Sequence, residues 1–177
     1  MLVMAAAGLD GMVKQPIRDT MPDLVDTDEN VRSGLETFVE RKVRGDDKDP
    51  EYFGGNKFIA RLLASKSHQK QAIEEYVRSL TGGSLQSVEQ LFQVANALCI
   101  ESQRVGLDNK DRAQVQEIFN IRNKIIHELD MDLQGKHRKR TPRNIEDMKK
   151  HTDKLLGIGA SLINQVNRKL SKQSAIE

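Results

Sequence analysis

Residues 118–132 read I-F-N-I-R-N-K-I-I-H-E-L-D-M-D, and Arg122, Asn123 and His127 within them carry side chains suited to chemistry on a phosphodiester. Histidine, with an ordinary pKa of about 6.5, exchanges protons near neutral pH. The guanidinium of Arg122 is permanently charged and presents a planar fork that matches phosphate oxygens. Asn123 offers an amide donor and an acceptor, enough to orient His127 or to hold a hydroxyl or phosphate oxygen. These groups suit a reaction in which the substrate brings its own nucleophile, as RNA does when its 2′-hydroxyl attacks the adjacent phosphorus. The protein then moves a proton and stabilises charge, without a metal.

The spacing R-N-x-x-x-H is a loose pattern by itself. With 13 Arg and 4 His in 177 residues, a given Arg-to-His separation arises by chance about 0.3 times per chain. Context supplies the specificity: the motif falls late in an amphipathic helical stretch, with aliphatic residues between Asn123 and His127 and a loop directly after. On a helix Asn123 and His127, at i and i+4, share a face. Arg122 and His127 are turned about 140° apart with about 7.5 Å of rise, so they do not stack on one face. A plainer reading pairs Arg122 with Glu117 or Glu128 and leaves His127 as a cation near a helix C-terminus.

The motif and its placement resemble the HEPN domain family, all-α proteins (higher eukaryotes and prokaryotes nucleotide-binding) of which many are RNases. Their motif is Arg, a polar residue, three to five further residues, then His, and Arg122-Asn123-Lys124-Ile125-Ile126-His127 fits its shortest common form. Residue-level resemblance is confined to residues 115–129, and residues 15–55 have no counterpart. The resemblance implies a homodimer, with Arg122, Asn123 and His127 of two protomers lining a shared cleft. It also makes Asp10 an accessory acid, since several branches carry an acidic residue in the first helix. A 2′,3′-cyclic phosphate and a 5′-hydroxyl are the implied products. An antitoxin of nucleotidyltransferase type, or another defence-system protein, is the implied partner.

Five permanent positive charges follow the motif: Lys136, Arg138, Lys139, Arg140 and Arg143. Residues 136–143 read as a basic loop that meets an RNA backbone without sequence choice, or as a solvated loop balanced by Asp130 and Asp132. His127, Glu128, Asp130 and Asp132 sit on successive positions of a fraying helix end, a poor arrangement for one metal ion, and no cofactor is indicated. Cys99 reads as packing on an apolar helix face. His68, His137 and His151 read as surface residues. Neither a Walker A pattern nor G-x-G-x-x-G is present.

Helical periodicity supplies the elements that must hold these residues. Leu2, Ala5, Ala6, Leu9, Met12 and Val13 predict a first helix that stops at Pro16, followed by an acidic loop. Asp28 predicts the cap of a second helix, with Val31, Leu35, Phe38 and Val39 on its stripe, ending near Gly45. A loop follows over 45–55, then one long helix or two short ones from Asn56 to Gly82. Ser84 opens the next, which closes near Gly106. Asp111 and Gln114 have the form of a capping box before the motif-bearing helix. Thr141-Pro142 announces the last, with Gly157 and Gly159 as close-packing or bending points. No stretch alternates like a strand, so the fold class is an all-α bundle of five to seven helices forming a single domain over 1–177, which the resemblance implies is HEPN-like.

The chain as a whole carries 28 basic and 26 acidic residues, which conceals an asymmetry: 7 and 12 fall before residue 56, 21 and 14 after it. A polyanion is therefore expected to meet the C-terminal two-thirds. One cysteine excludes an internal disulfide, and no apolar run reaches membrane-spanning length, so a cytoplasmic protein without membrane attachment is expected. The function expected from all this is a metal-independent endoribonuclease of a toxin–antitoxin or antiviral system. The alternative is a non-catalytic helical module that binds RNA or protein.

Overall fold

The computed structural model describes residues 1–44, 55–127 and 141–173. Its first helix, α1 (Leu2–Thr27), does not stop at Pro16 but runs through both Pro16 and Pro22. A proline inside a helix costs about 3 kcal/mol, through a lost N–H and a clash with the preceding turn. Burial outweighs it. Ile17, Met21, Leu24 and Val25 extend the stripe begun by Leu2, Leu9 and Val13, and each is at most 1 % exposed. Covering a side chain of that size contributes about 1.5–3 kcal/mol, so the four match or exceed the cost of two prolines. The acidic residues expected in a loop instead occupy the outer face of the same helix.

Asp28 makes the first corner. Its N–H bonds to the Leu24 carbonyl at the end of α1, while its Oδ1 accepts from the N–H groups of Asn30 (3.0 Å) and Val31 (3.4 Å), capping α2 (Glu29–Arg44) as expected. Arg32 then covers the loose carbonyls of α1, donating to Val25 (3.1 Å) and Asp26 (2.7 Å). The next stretch resolves into two helices, α3 (Gly55–Ala64) and α4 (His68–Thr81), parted at Ser65 to Ser67. Glu75 of α4 is 2 % exposed and accepts from Arg61 of α3 (3.3 Å) and Arg78 (2.9 Å). Such a carboxylate requires partners, and both arginines converge on it.

Three helices begin one turn away from where the sequence suggests. Ser87, not Ser84, caps α5 (Val88–Ala97), in a capping box with Gln90. Asp108, not Asp111, caps α6 (Asn109–His127), its Oδ1 accepting from the N–H groups of Lys110 and Asp111, both at 2.8 Å. Asn144, not Thr141, caps α7 (Ile145–Gln173). A 3₁₀ turn, Ser102–Val105, links α5 to α6 and ends at Gly106, whose φ of 72° suits glycine.

α1 and α7, the two longest helices, form the spine and run parallel. Gly8 lies beside Leu156, Gly159 beside Leu9 and Met12, and Lys169 beside Asp28. Gly159 is the close-packing point: a Cβ there would come within 3.0 Å of the Met12 sulfur, whereas Gly157 faces open space. α4 runs against α1, with Gln69 bonded to Asp26 and Arg18 to Thr81. α6 runs back along α5, with Arg112 paired to Glu89 and Gln116 bonded to the Val88 N–H. Among the described residues seven α-helices enclose one apolar core and no strand is present.

Candidate functional site

α6 places the motif. It starts beside the middle of α7, where Gly106 approaches Ile158 and Asp111 pairs with Lys154 at 2.5 Å, and it heads toward the beginning of α7. Eleven residues separate Asp111 from Arg122, about 16 Å of helix. The motif therefore lies at the end of the bundle where α1 and α7 both start. Val115, Ile118 and Phe119 are fully buried and anchor the preceding two turns, while Ile121 and Ile125 pack against the edge of the core.

Arg122 and Asn123 are brought together. The Arg122 Nη1 donates to the Asn123 Oδ1 at 2.8 Å, both side chains being half-buried. The Arg122 Nε is buried without a hydrogen-bond partner, and no ion pair joins Arg122 to Glu117. A buried, unmatched donor on a charged group costs about 1–3 kcal/mol or more. His127, in the last turn, is exposed, and no hydrogen bond joins it to Arg122 or Asn123. Within one chain the guanidinium and amide thus form a unit, with the imidazole standing apart from it.

The other expected residues fall as follows. Asp10 has both oxygens engaged: Oδ1 accepts from the Leu85 N–H (2.8 Å) and Oδ2 pairs with Lys14 (2.7 Å), tying the segment before α5 to α1. Lys136, Arg138, Lys139 and Arg140, with His137, lie outside the described residues, as do Glu128, Asp130 and Asp132. Arg143 is half-buried just before α7 and is engaged, not free. Among the described residues no group of His, Cys, Asp and Glu could hold a metal ion, and no helix is long and apolar enough to cross a membrane.

Two expectations need correction. Cys99 is exposed, because α5 stops at Ala97 and the backbone turns with φ of 50° at Cys99, carrying the thiol off the apolar face. Burial of part of the thiol still raises its pKa, with Lys169 opposing and Asp28 adding to the rise. His151 is not a surface residue; it is half-buried on α7, its Nδ1 enclosed without a partner.

A basic groove escaped the sequence reading altogether. Arg104, Arg168, Lys169 and Lys172 line it, with Cys99 beside them. The signal was there in Arg168, Lys169 and Lys172, which helical spacing puts on one side of α7, but Arg104 comes from a distant turn that only the fold supplies. Comparison with models of protein families, with curated proteins and with solved structures gives no match to this chain.

Proposed function

We propose that the protein is a metal-independent endoribonuclease, HEPN-like in fold, that works as a homodimer with Arg122, Asn123 and His127 of both protomers around one cleft. The observation that carries this reading is the Arg122 guanidinium, clamped to Asn123 through Nη1 while its buried Nε waits for an acceptor. A phosphate oxygen supplies that acceptor. Arg122 then stabilises the charge that builds on phosphorus, Asn123 fixes the fork, and His127 moves the proton of the attacking 2′-hydroxyl or of the leaving oxygen.

Dimerisation answers the separation of His127 from Arg122, since an imidazole of one protomer can meet a guanidinium of the other. The same end of the bundle offers a face for it. Met4 is 75 % exposed, Leu156 38 % and Ile145 81 %, and Gly11 and Gly157 face open space. Exposed Met4 and Leu156, with side-chain-free Gly157 next to Leu156, make a face that can pack against itself under a two-fold axis. A partner of antitoxin or defence type fits the same proposal.

The test is cleavage of a single-stranded RNA in EDTA, with analysis of the product ends. His127→Ala is expected to lower the rate at least 100-fold, within the usual range for loss of a proton-transfer group. Undiminished cleavage by that variant would overturn the proposal. The separation of His127 from Arg122 also favours a second reading, a non-catalytic module, and salt-sensitive RNA binding without any cleavage would establish it.

A further inference from the structure

The last turns of α7 present Gln165, Arg168, Lys169 and Lys172 to a groove of about 370 Å³, with Arg104 of the 3₁₀ turn and Cys99 opposite. Two of its four cations are already matched. Arg104 forks onto Glu101 at 2.9 and 3.3 Å, and Lys169 donates to Asp28 at 2.7 Å. Arg168 and Lys172 are exposed and have no ion-pair partner among the described residues. Two positive charges are thus left over in one groove, beside the free amide of Gln165.

The lining also says what kind of anion fits. Among the described residues no aromatic side chain lines the groove, so these give a base nothing to stack on. What the lining offers is four cations against one carboxylate, Glu101, already held by Arg104, together with the Gln165 amide, a cationic surplus of the kind that recognises phosphates irrespective of sequence. From Gln165 to Lys172 the helix rises about 10 Å, which spans about three phosphates of a strand stacked at about 3.4 Å per nucleotide. A chain of phosphates matches that length better than a single ion.

We infer that this groove holds the sugar-phosphate backbone of an RNA strand at the end of the molecule opposite Arg122, Asn123 and His127. The inference rests on RNA being the substrate, and adds to it a second, remote contact. Arg168 lies 23 residues along α7 from Ile145, at the beginning of the helix toward which α6 heads, about 35 Å. A stacked strand needs at least about ten nucleotides to touch both ends. The groove therefore confers affinity on long RNAs and none of the cleavage chemistry.

Cys99 is the only cysteine and provides a native reporter. The His127→Ala variant, which leaves RNA intact under the proposed mechanism, is alkylated with iodoacetamide alone, with a 20-nucleotide single-stranded RNA, and with inorganic phosphate at the same phosphate concentration. RNA is expected to slow alkylation at least fivefold at low salt, and inorganic phosphate to leave it unchanged. Adding Arg168→Glu and Lys172→Glu should remove the protection. It should also lower the slope of log affinity against log salt by about 1.4, as for two lost phosphate contacts on a single strand. Unchanged alkylation with RNA bound, equal protection by phosphate, or an unaltered salt slope would each overturn the inference. Cleavage by the wild type with and without the two charge reversals reads the motif separately, so the two proposals fail independently.

Discussion

Arg122 holds its position at a cost. A guanidinium with one nitrogen on Asn123 and another buried unmatched is less stable than an apolar side chain of similar length in the same place. Arg122→Met is therefore expected to leave the thermal midpoint unchanged or raised while abolishing RNA cleavage, and a melting curve beside a cleavage assay reads both. Arg122→Lys should not rescue, since an ammonium cannot fork. A purely structural arginine would give the opposite pattern. The residue types of this site were legible in the sequence because Arg, Asn and His at that spacing carry their chemistry with them. The environment was not: whether Arg122 meets Glu117 or Asn123 depends on side-chain directions that spacing alone does not fix. Cys99 was misjudged for a related reason, as its apolar-face position on an ideal helix vanished once the helix ended two residues earlier.

Each helix was legible in part from its apolar stripe, but the second half of α1 was read as a loop and the break between α3 and α4 was left open, while helix starts were off by a single turn at α5, α6 and α7. Each error has the same origin. The sequence offers two cap-forming residues three apart, and the choice falls to contacts made across the fold. Asp108 caps α6, which releases Asp111 to pair with Lys154 of α7. Ser87 caps α5 because Gln116 of α6 waits to accept the Val88 N–H at 3.1 Å. α1 is the larger surprise, since its prolines argue locally for a break and its buried stripe argues globally against one. Pro16→Ala restores a helical N–H and is expected to raise stability by about 1–3 kcal/mol in urea unfolding. A fall instead would mean that the helix is shaped around the ring of Pro16.

Across the whole molecule, the corner at Asp28 joins three elements, because its carboxylate caps α2 and receives Lys169 from the far end of α7. Burial pushes the Asp28 pKa up, but the Lys169 ammonium and the N–H groups of Val31 and Asn30 outweigh it and hold the carboxyl below its ordinary value. A lowered folded-state pKa gives stability that is complete above the ordinary carboxylate value of about 4 and is lost as the pH falls through the folded one. Asp28→Ala should cost about 1 kcal/mol or more at pH 7 through the cap and the ion pair. The deficit should shrink at pH 3 in the same urea titration. At the opposite end, Gly157→Glu places a charge in the open space beside Leu156, and is expected to convert the proposed dimer to a monomer in sedimentation and to reduce the proposed cleavage with it. A monomeric variant that cleaves at the wild-type rate would separate the face from the chemistry.

The parallel pairing of α1 with α7 bears on how the chain reaches this structure. Helix α1 lays its apolar stripe against α7, so their contacts join residues about 140–150 positions apart in sequence. At roughly 5–20 residues per second, α1 emerges from the ribosome roughly 7–30 s before its partner exists. During that interval Leu9 and Met12 lack the surface of α7 that they meet in the finished fold. Helices α2 to α6 can associate among near neighbours in the meantime, whereas docking of α7 closes the core. The arrangement makes the α1–α7 contact the one of longest sequence range in the fold, and so the one with the largest loop-closure cost.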